Sequence, residues 1–231
     1  MSEQKTIKHI AFIMDGNRRW AKKRSLPVIA GHKQGVESLK KITKFALDNN
    51  IEHVTVYAFS TENWKRNKKE LDFLFKLLSE VALKELAELK SLGVKVDFLG
   101  DLSKFNFFDI KKNLANLKSE TQQNCRLNLH IALNYGSLAE IANALNSLQE
   151  QKVSKVCLED LQNHLYLPSL PDPEILIRTG GEKRLSNFLL WQSVNSELVF
   201  TNTLWPDFSE KELSQILESY KSQDSLEPVC A

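Results

Sequence analysis

The sequence predicts a single α/β domain: a mostly parallel six-stranded sheet flanked by helices. Three observations carry this reading. Short apolar or β-branched runs alternate with longer stretches of helical periodicity, the pattern of right-handed βαβ units. The chain has 231 residues, suited to one large α/β domain, and no repeat, low-complexity tract or linker divides it. Its 42% hydrophobic content, with only 8 Gly and 6 Pro, is ordinary globular composition. Residues 1–231 are therefore read as one domain, and a chain of this size buries about 70–75% of its unfolded surface, enough for a core and a cavity.

In chain order, Ile7 to Met14 reads as the first strand, and Asp15-Gly16 after it as a turn into a helix N-terminus. Gly35 to Asn49 reads as a helix because Val36, Leu39, Ile42, Thr43, Ala46 and Leu47 share one side and Asn49-Asn50 supplies a stop. Val54 to Phe59 is the second strand. Lys69 to Leu92 is a long helical segment closed by Gly93, followed by a strand at Val94 to Leu99. Asp101 to Asn124 is helical, Leu127 to Asn134 a strand and Ser137 to Gln151 a helix. Leu158 to His164 is a short turn, and Pro168 to Pro173 connects it to a strand at Ile175 to Thr179. Ser186 to Ser193 forms turns, Leu198 to Phe200 the last strand and Ser209 to Lys221 the last helix. In a parallel sheet, ligands bind beyond the carboxyl ends of the strands.

Charge narrows the function. Lys plus Arg number 31 against 29 Asp plus Glu, a net charge of +2, which excludes a generally basic nucleic-acid binder and an acidic disordered chain. The basic patches also lack an aromatic stacking platform, so no nucleic-acid partner is expected. Cys125, Cys157 and Cys230 are scattered and odd in number, which fits structural thiols in a reducing compartment and not zinc. Met1 to Lys5 has no apolar leader, and no stretch approaches the roughly 20 apolar residues of a membrane span. A cytoplasmic protein is expected.

Overall neutrality hides a concentrated positive site. Between Asp15 and Lys33 stand Arg18, Arg19, Lys22, Lys23, Arg24 and Lys33. On charge alone these are a solvated helix start, with Asp15 as its cap. Two further clusters change the weighing, because a parallel sheet brings their strand ends to the same edge: Ser60 to Arg66, and Arg178 to Ser186 with Gly180-Gly181 between. Alone, Gly180-Gly181 is a turn and Arg184 a surface charge. Together, backbone N–H groups and planar guanidiniums make a site for diphosphate. Asp15 and Glu197 are then the carboxylates available for Mg²⁺, which binds through one or two carboxylates plus substrate phosphates. Leu71 to Ala82 is apolar around most of its circumference, which suggests that part of it lines an apolar tunnel as well as the core.

Six runs then carry a resemblance: His9 to Ala21 (HIAFIMDGNRRWA), Gly31 to Lys33 (GHK), Tyr57 to Trp64 (YAFSTENW), Arg178 to Glu182 (RTGGE), Arg184 to Gln192 (RLSNFLLWQ) and Leu204 to Phe208 (LWPDF). In this order the chain resembles the cis-prenyltransferases, in particular bacterial undecaprenyl diphosphate synthases, over about residues 9–208. The resemblance implies a homodimeric transferase that condenses isopentenyl diphosphate onto an allylic diphosphate, usually farnesyl diphosphate, forming cis double bonds. It implies Mg²⁺ as cofactor, a long polyprenyl product such as undecaprenyl diphosphate for cell-wall lipid carriers, and delivery of that product to the membrane with peripheral contact.

Carried over by motif, Asp15 is implied as the metal-binding catalytic aspartate, and Gly16, Asn17, Arg18 and Arg19 as the allylic diphosphate cradle. Trp20, His32, Ser60, Thr61, Glu62, Trp64 and Arg66 fall at substrate-contacting positions. Arg178, Arg184, Leu185 and Ser186 fall in the isopentenyl diphosphate site, and Glu197 at the second metal-side carboxylate. Asn63 holds the position proposed as proton acceptor; an amide is a poor base, so chemistry gives it a positioning role and leaves diphosphate or Asp15 to take the proton. Departures from the pattern are Arg18 for Gly, Val28 for Arg, Lys183 for His, Asn195 for Tyr, and a C-terminal tail at 222–231 without the basic ending of many members. That tail raises a rival, a non-catalytic prenyl-diphosphate-binding partner subunit, against which the joint presence of Asp15, Asn63, Arg178, Arg184 and Glu197 argues.

Overall fold

The structure, a computed structural model, describes residues 7–105 and 109–222. Along the chain run β1 (His9–Ile13), α1 (Asn17–Lys23), α2 (Val28–Asp48), β2 (His53–Ser60), α3 (Lys68–Lys84), α4 (Leu86–Leu92) and β3 (Val94–Leu99). There follow α5 (Ile110–Thr121), β4 (Leu127–Tyr135), α6 (Ser137–Glu150), α7 (Leu158–Asn163), β5 (Ile175–Arg178), β6 (Glu197–Phe200) and α8 (Glu210–Ser222). Short 3₁₀ turns occupy Thr61–Lys65, Leu102–Lys104 and Trp205–Asp207.

The six strands form one sheet, parallel throughout, in the order β3-β4-β2-β1-β5-β6. The buried strands read as nearly continuous apolar runs because both faces are covered: all residues of β1 and β5 are buried. One face, with Ile10, Phe12, Val54, Val56 and Leu129, packs against Ile42 and Ala46 of α2, Phe75 of α3, Leu114 of α5 and Leu213 of α8. The other, with Ala11, Ile13, Ala132 and Leu176, is covered by Phe188 and Leu189, and a further cluster joins α6 to α7. With β2 on one side of β1 and β5 on the other, the strand order reverses at β1, and the crevice opens at the carboxyl ends of these three strands.

Three helices differ from their sequence expectation. α2 starts at Val28, seven residues before the expected Gly35, and so contains two glycines. Packing explains them: a Cβ at Gly31 would lie 2.0 Å from the Asn17 carbonyl oxygen, so α1 and α2 approach each other at a point where only glycine fits. The expected helix at 69–92 is two, α3 and α4, parted at Glu85, whose carboxylate meets Lys40 of α2 at 2.8 Å. No Gly or Pro marks that break, so periodicity alone does not show it. The expected helix at 101–124 resolves into the turn Leu102–Lys104 and α5; residues 106–108, and 223–231 of the tail, lie outside the described residues.

Candidate active site

Asp15 stands just past the carboxyl end of β1. Its backbone is fixed: the carbonyl accepts from Thr179 Oγ1 (2.8 Å) and from the Trp205 N–H (3.0 Å). One carboxylate oxygen lies 3.1 Å from Arg19 Nη2 and the other 3.1 Å from Arg178 Nη2. Arg178, last residue of β5, is only 4% exposed, yet its side chain reaches Asp15, Ser186 Oγ (2.6 Å) and the Arg184 carbonyl. Arg19 donates to the Gly180 carbonyl. Gly180 has φ +89°, a conformation that favours glycine, and a Cβ there would lie 3.1 Å from the Asp15 carbonyl oxygen, so glycine suits the close approach of the β1 and β5 ends.

Two polar cavities adjoin at this point. One, of about 640 Å³, is lined by Asp15, Gly16, Asn17, Arg18, Arg19, Lys22, His32 and Arg66 among others. The second, of about 550 Å³, is lined by Asp15, Asn17, His32, Ser60, Glu62, Asn63, Arg66, Arg178, Arg184 and Ser186. Asp15, Asn17, His32 and Arg66 border both. A third, apolar cavity of about 160 Å³ starts at Met14, Asn17 and His32 and runs between α2 and α3 over β4. Through Val36, Leu39, Leu78, Val81 and Ile131 it adjoins a fourth, of about 420 Å³, that reaches Ala82, Glu85 and Leu92.

Two buried polar atoms around the crevice, Asn17 Oδ1 and Arg178 Nε, have no hydrogen-bond partner, and a third, His32 Nε2, has Glu70 Oε1 at 3.6 Å, just beyond hydrogen-bond distance. Such groups are costly unless a ligand or water meets them. Burial, reinforced by the Arg66 charge and opposed by Glu70, brings the His32 pKa down to about 4. Burial works against the charged form of Glu62, but its own backbone N–H and the side chains of Ser60, Asn187 and Thr61 donate to the carboxylate and hold its pKa below the usual range. Tyr57, between Tyr135 O (3.0 Å) and the pocket, is pushed up by burial and then by Glu62. Asn63 Oδ1 accepts the Ser60 N–H at 3.2 Å, so its amide oxygen is already occupied in bracing the start of the Thr61–Lys65 turn.

Other expected site residues lie elsewhere. Trp20 Nε1 donates to Asp207 at 2.7 Å, with Arg24 over its ring. Trp64 packs among Phe59, Phe75 and Phe105 and donates to Asn134 at 2.7 Å. Thr61 abuts Gly136, and Leu185 packs against the Phe188 cluster. None of these four lines the two polar cavities. Glu197 does not meet Asp15 within one chain. It pairs in register with Ile175 at the amino end of β5, whereas Arg178 pairs with Phe200; three residues along a strand is about 10 Å. In a parallel sheet a residue that opens a strand stands at the edge opposite the site.

Sequence reasoning missed Asn187 and Glu70. Asn187 lines the second cavity at φ +62°, between Ser186 (+49°) and a loop that holds Leu189 at +45°. This conformation, costly for residues other than glycine, is held by the Ser137 N–H to Asn187 O and the Leu138 N–H to Asn187 Oδ1, both 2.8 Å. The asparagine in the run from Arg184 to Gln192 was its only signal. Glu70, on α3, lies within 4 Å of Arg18, His32 and Arg66.

As a metal site, Asp15 offers one carboxylate, 32% exposed, at the junction of the cavities. Among the described residues no three His, Cys, Asp or Glu side chains gather to hold an ion. The Asp15 carboxylate beside two charge-lined cavities would suit Mg²⁺, which needs only one or two protein carboxylates when phosphate oxygens and water supply the rest.

Comparison with known proteins follows the same line. A family model described as undecaprenyl diphosphate synthase matches residues 13–226. An isoprenyl transferase of Heliobacterium mobile is 46% identical over 94% of this chain and 85% of its own length. A ditrans,polycis-undecaprenyl-diphosphate synthase of Micrococcus luteus, specific for (2E,6E)-farnesyl diphosphate, is 43% identical over 94% of this chain and 89% of its own length. Among solved structures, lavandulyl diphosphate synthase from Lavandula x intermedia in complex with dimethylallyl diphosphate superposes with a TM-score of 0.87 at 31% identity, covering 94% of this chain and 95% of that one.

Proposed function

Because the chain belongs to the undecaprenyl diphosphate synthase family and is a prenyltransferase, we propose that it extends an allylic diphosphate, farnesyl diphosphate, by successive cis condensations with isopentenyl diphosphate, in a Mg²⁺-dependent reaction, to a long polyprenyl diphosphate. One observation carries the reading: two polar cavities share Asp15, Asn17, His32 and Arg66, and an apolar cavity leaves from the same junction. Two diphosphates and one growing tail have those three requirements. The farnesyl specificity in the name of the Micrococcus luteus relative and the allylic diphosphate bound to the lavandulyl diphosphate synthase support the substrate class.

On this reading Asn17, Arg18 and Arg19 bind the allylic diphosphate in the first cavity, and Arg178, Arg184 and Ser186 bind isopentenyl diphosphate in the second. Bound at Asp15, Mg²⁺ would neutralise charge on the departing diphosphate. Arg19 and Arg178, already aimed at one point by Asp15, present guanidiniums where that charge develops. The alkene of isopentenyl diphosphate attacks the allylic carbon, its double bond shifts, and the lost proton goes to the departing diphosphate or to Asp15. Asn63, braced against Ser60, positions the substrate.

A second copy of the chain is proposed as partner, supported by exposed Leu138, Leu145, Leu158, Val194 and Leu198 on the α6, α7 and β6 side; only another chain could bring a Glu197 to Asp15. No helix among the described residues is long and apolar enough to cross a membrane, so delivery of the product to the membrane is proposed as peripheral contact from the cytoplasm, serving cell-wall lipid carriers. Incubation with farnesyl diphosphate, radiolabelled isopentenyl diphosphate and Mg²⁺ should give an extractable polyprenyl product; none from folded protein overturns the reading. Leu78→Trp and Ala82→Leu, which narrow the apolar cavities, should shorten it, and unchanged length in both removes the tunnel assignment.

A further inference from the structure

Resting on the assignment of the first cavity to an allylic diphosphate, we propose that Glu70 is a positioning residue for that cavity: one oxygen of its buried carboxylate gathers Arg66, His32 and Arg18 and sets the two guanidiniums at the wall where phosphate oxygens arrive. The contacts all converge on Oε1, from Arg66 Nη1 at 3.1 Å, His32 Nε2 at 3.6 Å and Arg18 Nε at 3.8 Å. Those three residues come from the segment after β2, from α2 and from α1. Each lines the first cavity; Arg18 lines that one alone, whereas His32 and Arg66 border the second as well.

Exposure separates the anchor from what it anchors. Glu70's side chain is 7% exposed, those of Arg66 and Arg18 25% and 59%. A carboxylate so buried is tolerated only beside cations, while the cations keep their free donors toward the cavity. The anchor is itself rigid: Glu70 lies in the first turn of α3, where its N–H is capped by Asn67 Oδ1 at 2.9 Å and a negative charge is favoured by the helix end. Without this counter-charge Arg18 and Arg66, two like charges on separate elements, would swing apart into solvent. The isopentenyl-side residues Arg178, Arg184 and Ser186 have hydrogen bonds of their own that do not involve Glu70.

The two diphosphates should therefore respond differently to loss of this charge. Glu70→Gln should raise KM for farnesyl diphosphate about tenfold, the order of one charge-assisted hydrogen bond, and raise KM for isopentenyl diphosphate by clearly less, because Arg18 borders only the first cavity while His32 and Arg66 border both. Calorimetric titration of farnesyl diphosphate alone should show the same tenfold loss without any turnover. Glu70→Asp, which keeps the charge but withdraws it by one methylene, should recover part of the affinity, and serves as the test if the Gln variant does not fold by circular dichroism. Equal changes in both KM values, an unaltered farnesyl diphosphate titration, or no advantage of Asp over Gln overturns the proposal. A wild-type protein that binds farnesyl diphosphate but transfers nothing overturns the proposed reaction and leaves the titration to decide Glu70; one that does not bind it overturns both.

Discussion

The two edges of the one parallel sheet both hold buried polar atoms and differ in how far the chain itself satisfies them. At the amino edge, the rings of His9, His53 and His130 lie within 6.2 Å of one another, centre to centre. His9 bonds to Pro171 O and Thr55 Oγ1, both 2.7 Å, and His53 to His130 at 3.0 Å; of their ring nitrogens, His130 Nδ1 is a buried one left unpaired. At the carboxyl edge, Asn17, His32 and Arg178 each leave a buried atom unpaired beside open cavities. A polar group satisfied inside the protein stabilises it, whereas one left for a ligand contributes to binding. The comparison teaches that residue type alone does not mark a site: histidines occur at both edges, and at the carboxyl edge His32 borders two cavities beside Asp15 and Arg66.

Replacement of Asp15 by Ala tests the open edge and should give the largest effect. Turnover should fall by at least about 10²–10³-fold, the scale for removing a transition-state electrostatic group, measured as radiolabelled isopentenyl diphosphate incorporation. Thermal unfolding should change little, because Asp15 is partly exposed and its arginine partners keep other bonds. A variant that loses activity by unfolding would erase the contrast between the edges.

The mirror experiment is His9→Ala. His9 is fully buried, so the variant loses two hydrogen bonds and leaves a cavity, about 2–4 kcal/mol. Denaturant titration should show that loss, while kcat of the remaining folded protein stays within about twofold. A specific fall in kcat with unchanged stability would assign the amino edge a chemical role.

Much of this was legible in the sequence, and the reasons differ by element. The inner strands β1 and β5 were readable because burial on both faces forces continuous apolar runs such as Ile10 to Ile13 and Ile175 to Ile177. That Asp15, Arg178 and Ser186 come together was readable because parallel topology sends strand ends to one edge. Glu197 does not join that edge within one chain: it opens a strand, and the register puts it opposite Ile175 at the other end of β5. Trp20 and Trp64 lie in motifs, but a motif does not say which way an indole points, and here each donates to a neighbouring side chain away from the polar cavities. The break at Glu85 depends on Lys40, and the anchor at Glu70 on Arg18 and His32 as well as on the nearby Arg66; apolar periodicity does not register contacts between distant segments.

The smallest effect per step lies in pH, and its sign separates the edges further. Burial, only partly offset by the bond to Pro171, brings the His9 pKa down to about 3, and burial with the neighbouring His53 does the same for His130. His53 is also lowered, by burial, against the pull of Glu52 and Glu174 and with that of Lys8 and Lys95. His9 and His130 stay neutral in the folded protein while the unfolded chain takes up protons near pH 6.5. Stability is therefore full above about pH 6.5 and declines as pH falls toward 3, by up to about 1.4 kcal/mol per unit for each of these two, with half-buried His53 adding a smaller share of the same sign. His32, lowered to about 4 at the carboxyl edge, adds one share of the same sign. Denaturant midpoints between pH 6.5 and 5 should fall in the wild type, fall less steeply in His9→Gln, and lose only the His32 share when inorganic diphosphate, an anion that favours the protonated ring, fills the cavities. A slope that disappears entirely with diphosphate would locate the proton uptake at the carboxyl edge and invert the comparison.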